Sequence, residues 1–482
     1  MDKSVKSKQN IYLIGIKGVG LTMLAQFLRQ QGHRVSGSDI KDSFMTDKVL
    51  RDAKIKVASP FRAANIPSDV DLIIYSSAYN TGNNPELAFI KDNPARFRKI
   101  RVLPYAEALG EIFSRHHGIA VCGSHGKTTT SAWLGYVLWK AGKRPNVLVG
   151  SRVPQFAGSS LNGASPYFVA EVDEYQNKLK YFQPRGVLLN NIDYDHPDFF
   201  KTAASYAKVF SDFIKKVPPS GFLVTSDADA AIRKLKKYCR GRVITYDIAD
   251  QTDVTSFRSA ASRASSYVAF DLKAVGAYQS FRVRSGRKDL GVFKIRLLGR
   301  HNVMNALAVI AAAREFKVSA PSLKKYLLGF RGTERRAQVL GNYKGATIID
   351  DYAHHPTEIK ATLAGLRARW PRRRLITVFH PHTFTRTKAL FKDFAASFGA
   401  TDELIILDIY GSAREKQGGV SSRQLAAAVR AFNRSRRLEQ PVQNIPTMPR
   451  TVAYLRRRLR RNDILLLMGA GDVFRVAQGL LK

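Results

Sequence analysis

The sequence predicts an α/β protein of three domains, each with a mostly parallel β-sheet covered by helices. Three observations support this prediction. The chain has 482 residues, a length that suggests about three domains. Short apolar runs typical of buried strands alternate with helical stretches along most of the chain. Glycine-rich or polar segments follow several of these strands, and this is where ligands bind in open α/β sheets.

The first domain, predicted over residues 1–104, opens with a βαβ unit. Strands are expected at 11–14, 34–38 and 72–75, with an amphipathic helix at 21–31. The residues that follow these strands and are expected to contact a ligand are Gly15, Gly18, Gly20, Asp39, Ser76 and Ser77. The pattern predicts a Rossmann-like nucleotide-binding domain. Its glycine spacing, G-x-x-G-x-G, departs from the G-x-G-x-x-G of dinucleotide sites and argues against NAD.

The second domain, predicted over residues 105–333, carries the most informative motif of the chain. The motif consists of Gly123, Ser124, His125, Gly126, Lys127, Thr128 and Thr129. It lies between an apolar run at 119–122 and a helical stretch at 131–140, which is the layout of a phosphate loop. Glycines let the backbone approach phosphates, and a helix N-terminus supplies amides. The motif therefore predicts a nucleoside triphosphate as a ligand, although a glycine turn with a solvated lysine has the same local sequence.

A Mg²⁺ site is predicted beside this loop. Glu171 ends an apolar run at 167–170, and His196 follows a run at 187–189 through a polar segment. With the Thr128 hydroxyl these groups could hold Mg²⁺ beside a triphosphate. Because Mg²⁺ prefers oxygen ligands, His196 is expected to serve a second metal or to act indirectly. The alternative for Glu171 is a strand-end acid that caps a helix.

Further along the second domain, Asn302 and Asn305 are expected to open a helix at 306–314. Asparagine amides can read the donor and acceptor edge of adenine, but Asn302 could instead cap the helix. Arg336 lies near the second domain boundary and could meet a phosphate, or it could be solvated. Residues 252–298 alternate between polar and apolar and predict an antiparallel insertion or edge.

The third domain is predicted over residues 334–482, with strands at 347–350, 375–378, 404–407 and 464–467. The polar segments 350–358 and 380–387 follow the first two strands. Their candidate site residues are Asp351, His355, His382 and Arg386. Acids beside an arginine would suit a zwitterionic amino acid, so these loops predict an amino-acid pocket.

Bulk properties exclude some classes of protein. No run of about 18 apolar residues is present, the N-terminus has no signal-peptide core, and Cys122 and Cys239 cannot form a disulfide framework. A soluble cytoplasmic protein is expected. The formal net charge of +40 suggests polyanionic partners. Because the positive residues are scattered, steering of anionic substrates or a general basic bias is favoured over specific nucleic-acid binding.

Taken in order, these motifs resemble the Mur ligase family over nearly the whole chain. The most specific segments are Asp-Asp-Tyr-Ala-His-His-Pro-Thr-Glu at 350–358 and His-Pro-His-Thr-Phe-Thr-Arg-Thr at 380–387. The resemblance implies one domain each for a UDP-sugar, ATP and an amino acid. It also implies ATP-driven amide formation between UDP-N-acetylmuramate and L-alanine through an acyl phosphate, by a monomer or homodimer.

The resemblance also implies residue roles. Lys127 would bind the β- and γ-phosphates, Thr128 and Glu171 one Mg²⁺, and His196 a second metal beside the acyl phosphate. Asn302 and Asn305 would contact adenine, and Arg336 would meet the phosphates on domain closure. The amino-acid side would comprise Asp351, His355, His382 and Arg386. The first-domain glycines, Asp39, Ser76 and Ser77 would serve the UDP-sugar.

Three alternatives stay open. A recycling branch of the family adds a whole tripeptide to the same UDP-sugar, but its third-domain loops differ from those at 380–387. A folyl-polyglutamate-type ligase shares the architecture, and the glycine-rich first domain argues against it. From another class, the charge could reflect an ATP-dependent nucleic-acid-binding protein.

Overall fold

Three separate β-sheets organise the chain in the computed structural model, which describes residues 8–44, 46–249, 265–411, 415 and 417–481. The sheets have five, ten and six strands and follow one another along the sequence. The α/β class predicted from the sequence is therefore confirmed.

The first sheet has the order β3-β2-β1-β4-β5, and all of its strand pairs are parallel. Its strands are β1 (Asn10–Ile14), β2 (Arg34–Ser38), β3 (Lys56–Ala58), β4 (Leu72–Tyr75) and β5 (Arg101–Pro104). Its helices span Val19–Gln30, Thr46–Asp52, Pro85–Asp92, Pro94–Phe97 and Tyr105–Ser114. The predicted βαβ unit is present, with its helix beginning at Val19 rather than at 21.

The second sheet has the order β15-β14-β13-β12-β11-β10-β6-β9-β7-β8. Its strands are β6 (His117–Cys122), β7 (Asn146–Val153), β8 (Gly158–Leu161), β9 (Tyr167–Glu171), β10 (Gly186–Leu189), β11 (Phe222–Ser226), β12 (Arg242–Ile248), β13 (Ser266–Val275), β14 (Tyr278–Ser285) and β15 (Lys288–Ile295). The strands from β13 to β7 pair in parallel, whereas the β15-β14-β13 edge and the β7-β8 edge are antiparallel. The antiparallel prediction is thus confirmed for 266–295, and its residues 252–264 lie outside the described part of the chain.

The helices of the second domain pack on both faces of the sheet and bury the phosphate-loop strand between them. They span Lys127–Lys140, Ala203–Ile214, Ala230–Leu235, Arg300–Glu315 and Ala320–Gly329. The helix Lys127–Lys140 is buried from Thr128 to Leu138, and Trp133 at its centre is fully buried and stacks on Phe330. A helix enclosed in this way has no solvent face, which explains why its sequence is apolar nearly all round.

The third sheet has the order β16-β17-β21-β18-β19-β20, with only β16 antiparallel to its neighbour. Its strands are β16 (Gln338–Tyr343), β17 (Ala346–Asp351), β18 (Leu375–Phe379), β19 (Glu403–Ile406), β20 (Val442–Asn444) and β21 (Ile464–Met468). Its helices span Pro356–Arg369, Phe384–Ala389, Phe391–Ala395, Ser422–Ser435, Met448–Arg458 and Arg475–Leu481. The carboxyl ends of β17, β21 and β18 are adjacent, so the two polar segments predicted to share a pocket are neighbours.

Within the described residues, no helix has both the length and the apolarity needed to cross a membrane.

The first and second domains share a packed interface. The helix Val19–Gln30 lies against the edge of the second sheet, where Phe27 meets Phe168 edge-on at 5.4 Å between ring centroids. The Gln26 side-chain oxygen accepts hydrogen bonds from the Ser159 amide at 2.9 Å and the Ser160 hydroxyl at 3.1 Å. A buried polar group with satisfied partners fixes how the two domains meet.

We predict that Gln26→Leu destabilises this interface, because it keeps the side-chain bulk but leaves the donors of Ser159 and Ser160 unpaired. The expected loss is about 1–3 kcal/mol in the free energy of unfolding. Chemical denaturation followed by circular dichroism measures this loss. Arg29→Ala, at an exposed position of the same helix, is the control. Equal stability of the two variants would contradict the prediction.

Candidate active site

The phosphate loop joins β6 to the helix that begins at Lys127, so residues 127–130 form the first helical turn rather than preceding a helix at 131. Gly123 and Gly126 have φ angles of 120° and 78°. A Cβ at Gly123 would lie 2.8 Å from the Asn191 carbonyl oxygen, and one at Gly126 would lie 2.6 Å from the Asn305 side-chain oxygen. Both positions therefore require glycine for conformation and for space.

The Lys127 ammonium group lies over this loop. It donates to the carbonyl oxygens of Gly123 at 2.6 Å and Ser124 at 3.2 Å, and to the Glu174 carboxylate at 3.1 Å. Burial alone would lower the pKa of Lys127, but Glu174 and Asp173 raise it above its usual range. The lysine is therefore a firmly charged cation at the start of the helix, where a phosphate group would meet it.

The two oxygen ligands predicted for Mg²⁺ lie together. The Thr128 hydroxyl donates to Glu171 Oε1 at 2.8 Å, and Glu171 Oε2 accepts from the Gly150 amide at 2.6 Å. Glu171 is thus held by the sheet and does not cap a helix. A hydroxyl and a carboxylate oxygen in contact beside the phosphate loop fit the ligand preference of Mg²⁺.

His196 belongs to a neighbouring group. Its Nε2 lies 3.8 Å from Glu174 Oε1, and ligand atoms of Asp173, Glu174 and His196 lie within 4.8 Å of one another. Glu174 is almost fully buried and also accepts from the Tyr206 hydroxyl at 2.8 Å. Sequence reasoning assigned no role to Asp173 or Glu174, although both lie two or three residues beyond Glu171. The signal that could have identified them is their position in the sequence, directly after the strand that ends at Glu171.

A cavity of about 740 Å³ lies between the second and third domains and has the phosphate loop in its wall. Asn302, Asn305 and Arg336 also line it. The helix that carries both asparagines begins at Arg300, not at 306, and its N-cap is Gly299. The Asn302 amide donates to the Leu298 carbonyl oxygen at 2.8 Å, so the N-cap alternative for Asn302 is wrong. The cavity brings together the predicted contacts for adenine and for phosphate.

His125 connects the phosphate loop to the third domain. Its Nε2 lies 2.9 Å from Asp193 Oδ2 and its Nδ1 lies 3.2 Å from Glu358 Oε1. The Thr357 hydroxyl donates to the same Asp193 oxygen at 2.6 Å. Burial opposes protonation, yet the two carboxylates raise the pKa of His125 from 6.5 to about 9. An imidazolium held between carboxylates of two domains is an ionic junction, and neither domain can form it alone.

Glu358 is the third-domain end of this junction. Burial alone would raise the pKa of Glu358, but His354, His125 and Arg336 hold it well below its usual range. Arg336 lies 3.9 Å from Glu358 Oε1. Sequence reasoning quoted Asp193 and Glu358 within motifs but gave neither a role, because only the fold brings them to His125.

Asp351 and His355, two residues predicted for the amino-acid side, have structural contacts. The Asp351 carboxylate accepts from the amides of Ala337 at 2.7 Å and Ala353 at 2.9 Å, and burial raises its pKa. His355 Nδ1 accepts from the Thr357 amide and caps the helix Pro356–Arg369. Among the described residues, His355 Nε2 is buried with no hydrogen-bond partner. Asp351 therefore holds the backbone of the loop at the wall of the cavity, and His355 Nε2 keeps hydrogen-bonding capacity that no described residue uses.

Arg386, predicted to anchor an amino acid, is buried against the second domain. Its Nε donates to Asp195 Oδ1 at 2.9 Å and its Nη2 to Asp195 Oδ2 at 3.3 Å. Burial opposes ionisation, yet Arg386 holds the pKa of Asp195 well below its usual range. Nearby His382 stacks on Tyr410 with 5.7 Å between ring centroids, and burial lowers the pKa of His382 to about 4. Sequence reasoning missed Asp195 as the partner of Arg386.

The first-domain loops form a separate tight turn. Gly15 has a φ of 82°, and a Cβ there would lie 2.6 Å from the Tyr79 ring. Gly18 is the N-cap of the first helix, and a Cβ at Gly20 would lie 2.9 Å from the Tyr105 ring. The other predicted residues lie at the ends of β2 and β4. The Asp39 carboxylate accepts from the Lys17 amide at 2.7 Å, the Ser76 hydroxyl accepts from the Ala78 amide, and Ser77 is exposed.

A phosphate-loop motif on a ten-stranded sheet, with further mostly parallel sheets before and after it, defines a three-sheet α/β protein. Models of the Mur ligase family match all three parts of the chain. The family's catalytic domain matches residues 10–117, its middle domain matches 121–313, and its glutamate ligase domain matches 335–471. The chain belongs to the Mur ligase family.

Known relatives cover the chain from end to end. The UDP-N-acetylmuramate–L-alanine ligase of Desulfitobacterium hafniense is 36% identical over 98% of this chain and 99% of its own length. The crystal structure of the UDP-N-acetylmuramate–alanine ligase of Thermotoga maritima superposes with a TM-score of 0.79 at 23% identity, covering 98% of both chains. A murein peptide ligase from Psychrobacter arcticus has a TM-score of 0.71 at 24% identity, with the same coverage. The two structures show that the fold is shared.

The raised pKa of His125 predicts how stability depends on pH. A group that titrates near 6.5 when unfolded and at about 9 when folded stabilises the folded state fully below pH 6.5. That stabilisation is lost as the pH rises from 6.5 through 9. Burial lowers the pKa of His301 to about 4 and that of His354 to about 3, so these two residues change the stability only at lower pH.

We therefore predict that His125→Gln lowers Tm more at about pH 7 than at about pH 9.5, by roughly a few degrees. Thermal unfolding at both pH values measures the difference, and His301→Gln, whose effect should be equal at both, is the control. Equal losses for His125→Gln at the two pH values would contradict the assignment of its charge.

Proposed function

We propose that this chain is an ATP-dependent ligase that joins L-alanine to the lactyl carboxylate of UDP-N-acetylmuramate, a step in peptidoglycan precursor synthesis. The observation that carries the proposal is the position of the phosphate loop. The loop carries Lys127 and borders the cavity at the junction with the third domain, where the candidate amino-acid segment 350–358 lies. The name shared by full-length relatives at about the same identity supports the choice of substrates.

ATP fits the cavity between the second and third domains. Its volume is in the range of nucleotide-sized pockets, and its lining includes His125 and Gly126 of the phosphate loop together with Asn302 and Asn305. Arg336 lines the same cavity and has a guanidinium fork suited to phosphate oxygens. We assign adenine to the asparagines and the triphosphate to the loop and Arg336.

Mg²⁺ would be held by Thr128 and Glu171, and a second ion by His196 with the carboxylates beside it. When bound, these ions would supply positive charge for the transferring phosphate. The chain's own residues do the rest. Lys127 neutralises charge on the phosphate, and the loop amides orient it for attack by the lactyl carboxylate. The product of this step is an acyl phosphate.

The amine of L-alanine then attacks the acyl phosphate and displaces phosphate. Arg386 is proposed to bind the α-carboxylate of the amino acid through a two-pronged hydrogen bond. Docking of the third domain would exclude water from the acyl phosphate, which would otherwise be hydrolysed. The first domain is proposed to hold the uridine nucleotide at the loops after β1, β2 and β4.

The test of this function is phosphate release from ATP with UDP-N-acetylmuramate and each of L-alanine, glycine, L-serine and a murein tripeptide. We expect release to require both the UDP-sugar and an amine, and to be fastest with L-alanine. A preference for the tripeptide would indicate the recycling reaction. Rapid ATP hydrolysis by the protein alone, or stimulated by DNA and indifferent to the UDP-sugar, would contradict the ligase assignment.

We predict that Lys127→Ala abolishes ligation in a folded protein. The lysine charge on the transferring phosphate is expected to contribute several kcal/mol, about 3 or more, to transition-state stabilisation. Single-turnover formation of ADP measures the loss. Lys140→Ala, at the exposed end of the same helix, should leave the rate unchanged. Near-normal turnover of a folded Lys127→Ala protein would refute the phosphate-loop assignment.

A further inference from the structure

Asp195 is fixed between two domains. Its Oδ1 accepts from the amide of the next residue, His196, at 2.7 Å and from Arg386 Nε at 2.9 Å, while its Oδ2 accepts from Arg386 Nη2 at 3.3 Å. His196 has a φ of 57°, a left-handed conformation that is uncommon for a non-glycine residue. The carboxylate is therefore oriented by its own segment as well as by the arginine it contacts across the domain boundary.

The contacts of Arg386 divide its guanidinium group into two edges. Asp195 takes the edge formed by Nε and Nη2. Within the part of the chain that the structure describes, Nη1 has only the long 3.4 Å contacts to the ring nitrogen and the carbonyl oxygen of His382. A guanidinium has five N–H donors in a rigid plane, so one carboxylate does not saturate it. The edge formed by Nη1 and Nη2 can donate hydrogen bonds to a second carboxylate.

We propose that Asp195 is a positioning residue for the amino-acid substrate. It holds Arg386 by one edge so that the other edge receives the α-carboxylate of the substrate. This inference rests on the proposed ligase function and adds a condition to it: the amino-acid site is complete only while the third domain contacts the second.

The position of Asp195 in the chain relates the amino-acid site to the site of the acyl phosphate. Asp195 directly precedes His196, the residue proposed to serve the metal beside the acyl phosphate. One short segment therefore contributes to the acyl-phosphate site and, through Arg386, to the amino-acid site. Both side chains of the Asp195–Arg386 pair are only 7% exposed. In such a dry site a hydrogen-bonded charge pair has a defined geometry, whereas a lone arginine would be free to turn. The amine is thereby directed to the side of the site where the activated carboxyl group forms.

An alternative role for the Asp195–Arg386 contact predicts the opposite change in the apparent KM for L-alanine. If Asp195 were only a stand-in for the substrate carboxylate, L-alanine would have to displace it. Removal of its charge would then lower the apparent KM for L-alanine. If Asp195 positions Arg386, removal of its charge raises that KM.

Asp195→Asn is the sharpest variant. The amide keeps an Oδ1 acceptor for the His196 amide and nearly the same volume, but it replaces the second oxygen with a donor that opposes the guanidinium. We expect the apparent KM for L-alanine to rise by about tenfold or more, with the KM values for ATP and UDP-N-acetylmuramate changed less than about twofold. Asp198→Asn is the matched control, because Asp198 is exposed in the same segment and contacts Tyr175 instead.

A second measurement separates positioning from a general loss of structure. Arg386→Lys should also raise the KM for L-alanine. The double variant Asp195→Asn/Arg386→Lys should be about as impaired as the worse single variant, because both changes disrupt the same Asp195–Arg386 pair. Additive effects, an unchanged or lower alanine KM in Asp195→Asn, or a change confined to Mg²⁺ dependence would each overturn the proposal. Failure of the ligase function itself would be visible beforehand, as absence of amine-dependent ADP formation in the unsubstituted protein.

Discussion

The ionic junction formed by His125, Asp193 and Glu358 is the interaction on which the arrangement of the site depends. His125 is part of the phosphate loop, Asp193 follows a strand of the same sheet, and Glu358 begins the first helix of the third domain. A buried charge is stable only when it is paired. The position of the third domain is therefore tied to the same loop that is proposed to bind the triphosphate. His125 and Glu358 both line the cavity between the two domains.

The Asp195–Arg386 pair is a second connection across the same boundary. The two contacts come from one short segment, since Asp193 and Asp195 belong to the polar stretch after β10. The contact of Asp193 holds His125 of the phosphate loop, and the contact of Asp195 holds Arg386 of the candidate amino-acid loop. A reaction that needs a phosphorylated intermediate and a separate amine benefits from this design, because both reactants are positioned by one docking event.

Much of the fold was predictable because the signals are local. Each buried parallel strand is a short apolar run, and the phosphate loop is recognisable from glycine, lysine and threonine at fixed spacing. The acids that complete the site were not predictable in the same way. Asp195 and Arg386 are 191 residues apart, and His125 and Glu358 are 233 residues apart. Their pairing depends on how two domains dock, which no local pattern encodes.

In the proposed reaction, the lactyl carboxylate is activated as an acyl phosphate before the amine attacks. Isotope transfer tests this order of events: UDP-N-acetylmuramate with ¹⁸O in the lactyl carboxylate is incubated with ATP and L-alanine, and the released phosphate is analysed by mass spectrometry. One ¹⁸O atom is expected in each phosphate formed, because a carboxylate oxygen attacks the γ-phosphorus and leaves with it. Phosphate without ¹⁸O, released in step with amide formation, would contradict this order of events.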